Sequence, residues 1–199
     1  VLFRSSIFGH ESSNFGLKHL LVGERFSVTF EQALQLLRGS WYPSDPSRWM
    51  DLGCGDGFFT RALARQLAEG SWIYAWDQDA LALQRIPESI DGIHIDKRVC
   101  NFIQEPFPVK PVHGIIMANA LHYVPDQVDF LNRLRQTIQP DGVLLTIEYD
   151  RIQANPWVPY PVPFSKLMSI ARQASWATVQ KNGTVPSRYG PEIYAAILQ

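Results

Sequence analysis

Three glycines at alternate positions, in Met50-Asp51-Leu52-Gly53-Cys54-Gly55-Asp56-Gly57-Phe58-Phe59, constrain this 199-residue chain more than any other stretch. A short apolar run ends in an acid, turns, and opens into a helical face of Phe59, Leu63 and Leu67. A strand-turn-helix of this kind lets backbone approach a ligand with no Cβ in between. Its spacing departs from G-x-G-x-x-G. Gly57 comes one residue early, and Phe58 stands where that fingerprint needs glycine for helix-strand packing. The carboxylate of Asp51 would repel a pyrophosphate but suits a cation. The turn therefore fits a positively charged, nucleoside-like ligand better than a dinucleotide.

The rest of the chain alternates strand and helix signals. Thr29 and Gln32 form a capping-box pair before a helical face of Phe30, Leu34 and Leu37, with Gly39 as its stop. Strand patterns fall at Arg48 to Leu52, Trp72 to Trp76, Ile93 to Val99, Gly114 to Ala118 and Gly142 to Glu148. Between them lie apolar faces of Leu81, Leu83 and Ile86, and of Val128, Leu131, Leu134 and Ile138. A final helix, Phe164 to Ala174, precedes strands near Ala177 to Gln180 and at Ile193 to Leu198, with no helix between these two. The order predicts an α/β fold: a doubly wound, Rossmann-like sheet of seven strands, mostly parallel, the last antiparallel, helices on both faces.

Length suits one domain with a three-layer core. Hydrophobic residues make up 46% and charged ones 19%. With 18 basic against 19 acidic residues and a pI near 6.6, there is no electrostatic footprint for nucleic acid or an anionic membrane. Cys54 and Cys100 make neither a disulfide framework nor a metal-ligand spacing, and thiols point to a reducing, cytoplasmic setting. No apolar stretch reaches membrane-spanning length. The chain opens at Val1, and Val1 to Ser5 reads as translated sequencing adapter. Residues 1–28 are expected to form an N-terminal segment, its first five residues artefact, and residues 29–199 the domain.

Strand ends at the carboxyl edge of such a sheet carry the ligand. The first offers Asp51, Gly53, Gly55 and Gly57; the second Asp77, placed to accept from two ribose hydroxyls; the third Asn101-Phe102; the fourth Asn119-Ala120-Leu121-His122-Tyr123. Taken in this order they resemble the class I S-adenosylmethionine-dependent methyltransferases, over about residues 29 to 199. The tail segments around Asn155 to Pro161 and Pro186 to Tyr194 are similar to those of a bacterial subgroup of small methyltransferases. The resemblance implies S-adenosylmethionine as cofactor. Asp51 would meet its ammonium, the amides of Gly55 to Phe59 would face its methionine end, Asn101 would read the adenine amino group and Phe102 would cover the ring. Cys54, Gln78 and Asn119 are further contact positions. Two departures stand out: Asn101 where aspartate is usual, and Asp141 for the first glycine after Pro140. Each residue also has a plainer role open to it: glycines shape loops, Asp77 or Asp79 can cap a helix, and Asn101 can hold a turn.

On the acceptor side, the fourth strand lacks the Asp/Asn-Pro-Pro-aromatic signature of nucleobase amino methyltransferases. Asn155-Pro156-Trp157 comes after the fifth strand, the wrong place for it, and no Pro-Cys pair offers a covalent nucleophile. His122 is a candidate base or packs the loop with Tyr123. Tyr149 and Asp150 either orient an acceptor or cap the turn, and Trp157, Tyr160 and Phe164 either wall a pocket or form a proline-stiffened connector. Arg188 and Tyr189 either approach the site or lie in solvent; His10, His19, His94 and His113 read as structural. The expected function is methyl transfer to an unidentified small molecule at oxygen, nitrogen or carbon. A protein or RNA acceptor, or a non-catalytic cofactor-binding module, is the alternative.

Overall fold

The computed structural model describes residues 28–107, 111–187 and 192–199. Its centre is β1 (Arg48–Leu52), which pairs in parallel with β2 (Trp72–Asp77) on one side and β5 (Val112–Ala118) on the other. β4 (Ile93–Val99) continues the sheet beyond β2, and β6 (Ile138–Tyr149) continues it beyond β5, both parallel. β8 (Ile193–Leu198) lies antiparallel between β6 and β7 (Val179–Val185), giving the order β3-β4-β2-β1-β5-β6-β8-β7.

Side chains alternate between two cores, as a sheet covered on both faces requires. Trp49, Ile73, Ala75, Ile116, Leu145 and Ile147 pack beneath α1 (Phe30–Leu37), α2 (Phe58–Ala64) and α3 (Ala80–Leu83). Met50, Leu52, Met117, Leu144 and Tyr194 pack beneath α4 (Gln127–Thr137) and α5 (Phe164–Gln173). The α1 capping box forms as its sequence predicts: Thr29 N donates to Gln32 Oε1 at 2.8 Å and Gln32 N to Thr29 Oγ1 at 3.3 Å. At the other end of α1, Asn182 of β7 donates to the carbonyls of Leu36 and Arg38, satisfying acceptors that a helix terminus leaves open.

The expected doubly wound fold holds, with eight strands in place of seven. The extra one, β3 (Ser89–Ile90), pairs antiparallel with β4 through Asp91-Gly92, whose φ values are 50° and 78°. Those angles define a hairpin turn that Asp-Gly favours. Three helical readings change. α2 stops at Ala64, so Leu67 packs from beyond it, and α3 is a single turn whose Leu81 is 68% exposed while Ala82, Leu83 and Ile86 are buried. Ile138 begins β6 and does not end α4. β7 also runs further than expected, to Val185.

Gly114 of β5 lies against the Trp49 ring, which is fully buried, and a Cβ there would overlap the ring carbons. Gly114→Ala should therefore destabilise the fold by about 1–3 kcal/mol or more. Chemical denaturation with an unchanged midpoint would contradict this packing.

Candidate active site

The carboxyl edge of the sheet opens where the β1 and β5 connections part to opposite faces, the usual crevice of an open α/β sheet. Two adjoining lobes lie there. The larger, about 420 Å³, is lined by Gly53, Asp77, Gln78, Cys100, Asn101, Phe102, Ile103, Asn119, Ala120 and Tyr123. The smaller, about 160 Å³, is lined by Asp51, Gly53, Cys54, Gly55, Phe59, Ala118 and Asn119. Gly53 and Asn119 belong to both.

The glycine turn is stitched to the end of β2. Gly53 N and Cys54 N donate to Trp76 O, Gly55 N donates to Asp77 Oδ2 at 2.8 Å, and Asp79 N donates to Asp77 Oδ1 at 2.8 Å. Gly57 N turns inward to Cys54 O. The amides of Gly55 and Gly57 are thus engaged within the protein, a correction to the expectation that they face the ligand. The three glycines also differ in purpose. A Cβ on Gly53 would meet Ala120 Cβ at 2.8 Å, and one on Gly57 would meet Ile86 at 2.8 Å. One on Gly55, at φ +55°, would meet no protein atom within 4 Å. Two glycines serve close packing, and Gly55 keeps open space in the smaller lobe.

Asp51 is 1% exposed; its Oδ2 accepts from Thr60 Oγ1 at 2.6 Å, and its Oδ1 is buried without a partner. Burial pushes its carboxyl from about 3.8 to about 7; the Thr60 hydrogen bond opposes this and the Asp77 charge adds to it. Asn119 Oδ1 is likewise buried without a partner, on a residue held at φ 52°. Such orphaned acceptors are costly and uncommon. Two of them on one small lobe suit a ligand group rich in donors, which is what the ammonium of an S-adenosylmethionine would present.

Asp79, and not Asp77, caps α3, accepting from Leu81 N and Ala82 N. Asp77 keeps acceptor capacity beyond its two amides, since an ionised carboxylate offers about four lone-pair sites. Asn101 lines the larger lobe, and its Oδ1 accepts from Ile103 N at 3.1 Å, so the turn-holding role is realised. Phe102 packs 5.8 Å from the Phe130 ring and lines the same lobe. Burial pushes the Cys54 thiol up, with the Asp51 and Asp77 charges adding to it, so it stays protonated.

His122 and Tyr149 line neither lobe. His122 is 2% exposed, with Nδ1 2.6 Å from Glu148 Oε2 and its backbone N on Glu148 Oε1, and Glu148 is 1% exposed. The histidine packs the loop and is not presented to the cleft. Its neighbour Tyr123 takes the cleft position. Tyr149 packs on the α1 face, and Asp150 caps α5 by accepting from Phe164 N. The proline-rich segment is tethered as a connector: Tyr160 N donates to His122 O, Gln127 Nε2 to Tyr160 O, and Tyr194 Oη to Val162 O. Asn155 Oδ1 holds a turn by accepting from Trp157 N and Val158 N. His94 stacks on Trp72, and His113 Nδ1 accepts from Arg48 N. His10, His19, Arg188 and Tyr189 lie outside the described residues. Thr60 and Glu148 escaped the sequence reading. Each is a buried polar residue in a mostly apolar stretch, Thr60 beside Phe59 and Ala62 and Glu148 beside Ile147.

A family profile described as a methyltransferase domain matches residues 50–144. The chain is 30% identical over 157 residues to trans-aconitate 2-methyltransferase of Mycobacterium ulcerans, covering 76% of this chain and 54% of that protein. It is 26% identical over 112 residues to carboxy-S-adenosyl-L-methionine synthase of Hydrogenovibrio crunogenus, covering 54% of this chain and 44% of that protein. It spans about half the length of the curated relatives it matches. Among solved structures, a SAM-dependent methyltransferase from Leishmania major superposes with a TM-score of 0.64 at 15% identity, over 78% of this chain and 65% of that one. One from Aquifex aeolicus gives 0.57 at 18%, over 78% and 84%.

Asp51 makes stability depend on pH. Its folded carboxyl titrates near 7 and the unfolded one near 3.8, so between these values the folded chain holds a proton the unfolded chain has released. Stability is full below about pH 4 and declines as pH rises to about 7, by on the order of 4 kcal/mol from this group. Asp51→Asn should remove that slope, so the variant's melting temperature should gain on the parent's between pH 5 and 8. A constant difference across that range would refute the burial argument.

Proposed function

Because the chain belongs to the class I S-adenosylmethionine-dependent methyltransferases, we propose that it transfers a methyl group from S-adenosylmethionine to a small-molecule acceptor. The observation that carries the reading is the smaller lobe, where the bare face of Gly55 and the orphaned oxygens of Asp51 and Asn119 meet. Asp77 would take the ribose hydroxyls with its remaining lone pairs, Phe102 would cover the adenine, and Asn101 and Gln78 would edge the larger lobe. Asp51 and Asn119 would accept from the ammonium, beside Gly53, Cys54 and Gly55, with Gly57 holding the turn against Ile86.

When bound, the cofactor supplies an electrophilic methyl group for in-line transfer. The protein's part is to orient both partners and exclude water, which can account for much of the barrier reduction. The buried His122–Glu148 pair supports a positioning role, fixing the 3-10 turn Leu121–Tyr123 that sets Tyr123 against the cleft. Tyr149, at the end of β6, packs on the α1 face and lines neither lobe, so Tyr123 is the candidate to orient an acceptor hydroxyl or amine.

A small acceptor is supported by the near-balanced charge of the chain and by likeness to a relative named for trans-aconitate. Among the described residues no helix is long and apolar enough to cross a membrane. We read the setting as cytoplasmic, which the free thiols of Cys54 and Cys100 favour. The direct test is release of S-adenosylhomocysteine by the purified protein against pooled metabolites. Release at background level with every pool would leave only a cofactor-binding module.

Asp77→Ala should weaken S-adenosylhomocysteine binding by about 1.5–3 kcal/mol, roughly tenfold to a hundredfold, partly by loosening the Gly55 turn. Gly55→Ala should stay folded at a backbone cost of about 1–2 kcal/mol yet lose at least roughly tenfold in affinity. Calorimetric titration giving parental affinity for both variants would remove the turn from the site.

His122→Ala takes the ring from Glu148 Oε2, leaves that buried carboxyl only the backbone N of residue 122, and should lower stability by about 3–5 kcal/mol, with turnover staying within a few-fold. A loss of a hundredfold or more in turnover by a folded variant would restore His122 as general base.

A further inference from the structure

Thr60 sits on α2 with its side chain turned to β1, fully buried, and its hydroxyl 2.6 Å from Asp51 Oδ2. It occupies one oxygen of the carboxylate and leaves the other, Oδ1, as the unpartnered acceptor of the smaller lobe. We propose that Asp51, held by Thr60, is a proton-operated selector: charged, it admits a ligand that carries an ammonium, and protonated, it refuses one. Thr60 is the positioning residue of that selector. The inference rests on the cofactor reading and adds to it that binding is coupled to proton release.

Among the described residues, nothing around Asp51 compensates its charge. β2 contributes Asp77, a like charge, and the turn contributes the protonated thiol of Cys54, on which the Asp56 carboxylate also acts. On β5, Asp51 stands opposite the apolar Ile116. The nearest cation on α2, Arg61, is turned away, its guanidinium on the carbonyls of Asp56 and Arg85. A lone carboxyl without a cationic partner in a dry setting favours its proton, in line with its upward displacement to about 7. An arriving ammonium keeps its own protons and supplies the missing countercharge. The O–H bond of Asp51 then breaks and its proton passes to solvent, so affinity rises with pH until Asp51 is ionised before binding. Neutral adenosyl ligands without the amino-acid end gain nothing from this.

Two probes separate the effects: S-adenosylhomocysteine, which carries the ammonium, and 5′-methylthioadenosine, which lacks it. Calorimetric titration between pH 5.5 and 8 should show S-adenosylhomocysteine losing about tenfold in affinity per pH unit below the Asp51 midpoint. Its binding should release a proton, read from titrations in buffers of different ionisation enthalpy, while methylthioadenosine affinity stays within about twofold. Asp51→Asn should flatten the S-adenosylhomocysteine profile. Thr60→Val should move its midpoint upward by about one pH unit, and Thr60→Ser should restore it, a shift that loss of packing alone does not produce. Equal slopes for both probes, or a flat parental profile with normal binding, would overturn the selector and leave the cofactor assignment standing. An unmoved midpoint in Thr60→Val would overturn the part given to Thr60. Failure of both probes to bind at any pH would overturn the cofactor reading and the selector with it.

Discussion

β1 is buried on both faces and paired on both edges, and everything at the carboxyl edge of the sheet follows from that confinement. A strand so enclosed leaves the sheet only through a turn that avoids its neighbours, and Gly53 and Gly57 pass where Ala120 and Ile86 leave no room for a Cβ. The exit is fixed further by Trp76 O and the Asp77 carboxylate, which gather the amides of Gly53, Cys54 and Gly55. The cleft is therefore shaped by backbone held in place before any ligand arrives. Such preorganisation lowers the ordering cost of binding.

Two aspartates within this frame behave differently because their solvation differs. Asp77 is half-buried and anchored by two backbone amides. Asp51, almost wholly enclosed, has one hydroxyl for support and one oxygen with none. The same side chain thus serves once as a fastening of the turn and once as an unmet electrostatic demand. The second arrangement is a cost to the folded chain, and an unmet charge of that kind is commonly retained at functional sites.

Most of the architecture was legible because it rests on local periodicity. β1, β4 and β8 fall on their expected residues, and the Thr29–Gln32 cap is visible as a spacing in the sequence. β3 was missed although Asp91-Gly92 carries the hairpin signal, because a two-residue strand has no periodicity of its own. The over-long helices were misjudged at Leu67 and Ile138, where tertiary packing decides whether an apolar residue ends a helix or starts the next element. Within the site, the cleft-lining positions were legible as an ordered set at strand ends. The burial of His122 was not, because it depends on Glu148, 26 residues away and on another strand.

The placement of β8 between β6 and β7 ties two distant parts of the chain to one edge. Among the described residues β7 meets the sheet only through β8, so its place depends on β8 being seated against β6. The terminal carbonyls of α1 accept from Asn182 of β7 and so take an anchor from the same margin. Opening of the β6–β8 seam would release β7 and this end of α1 together, and the first helix and the penultimate strand should share their hydrogen-exchange protection.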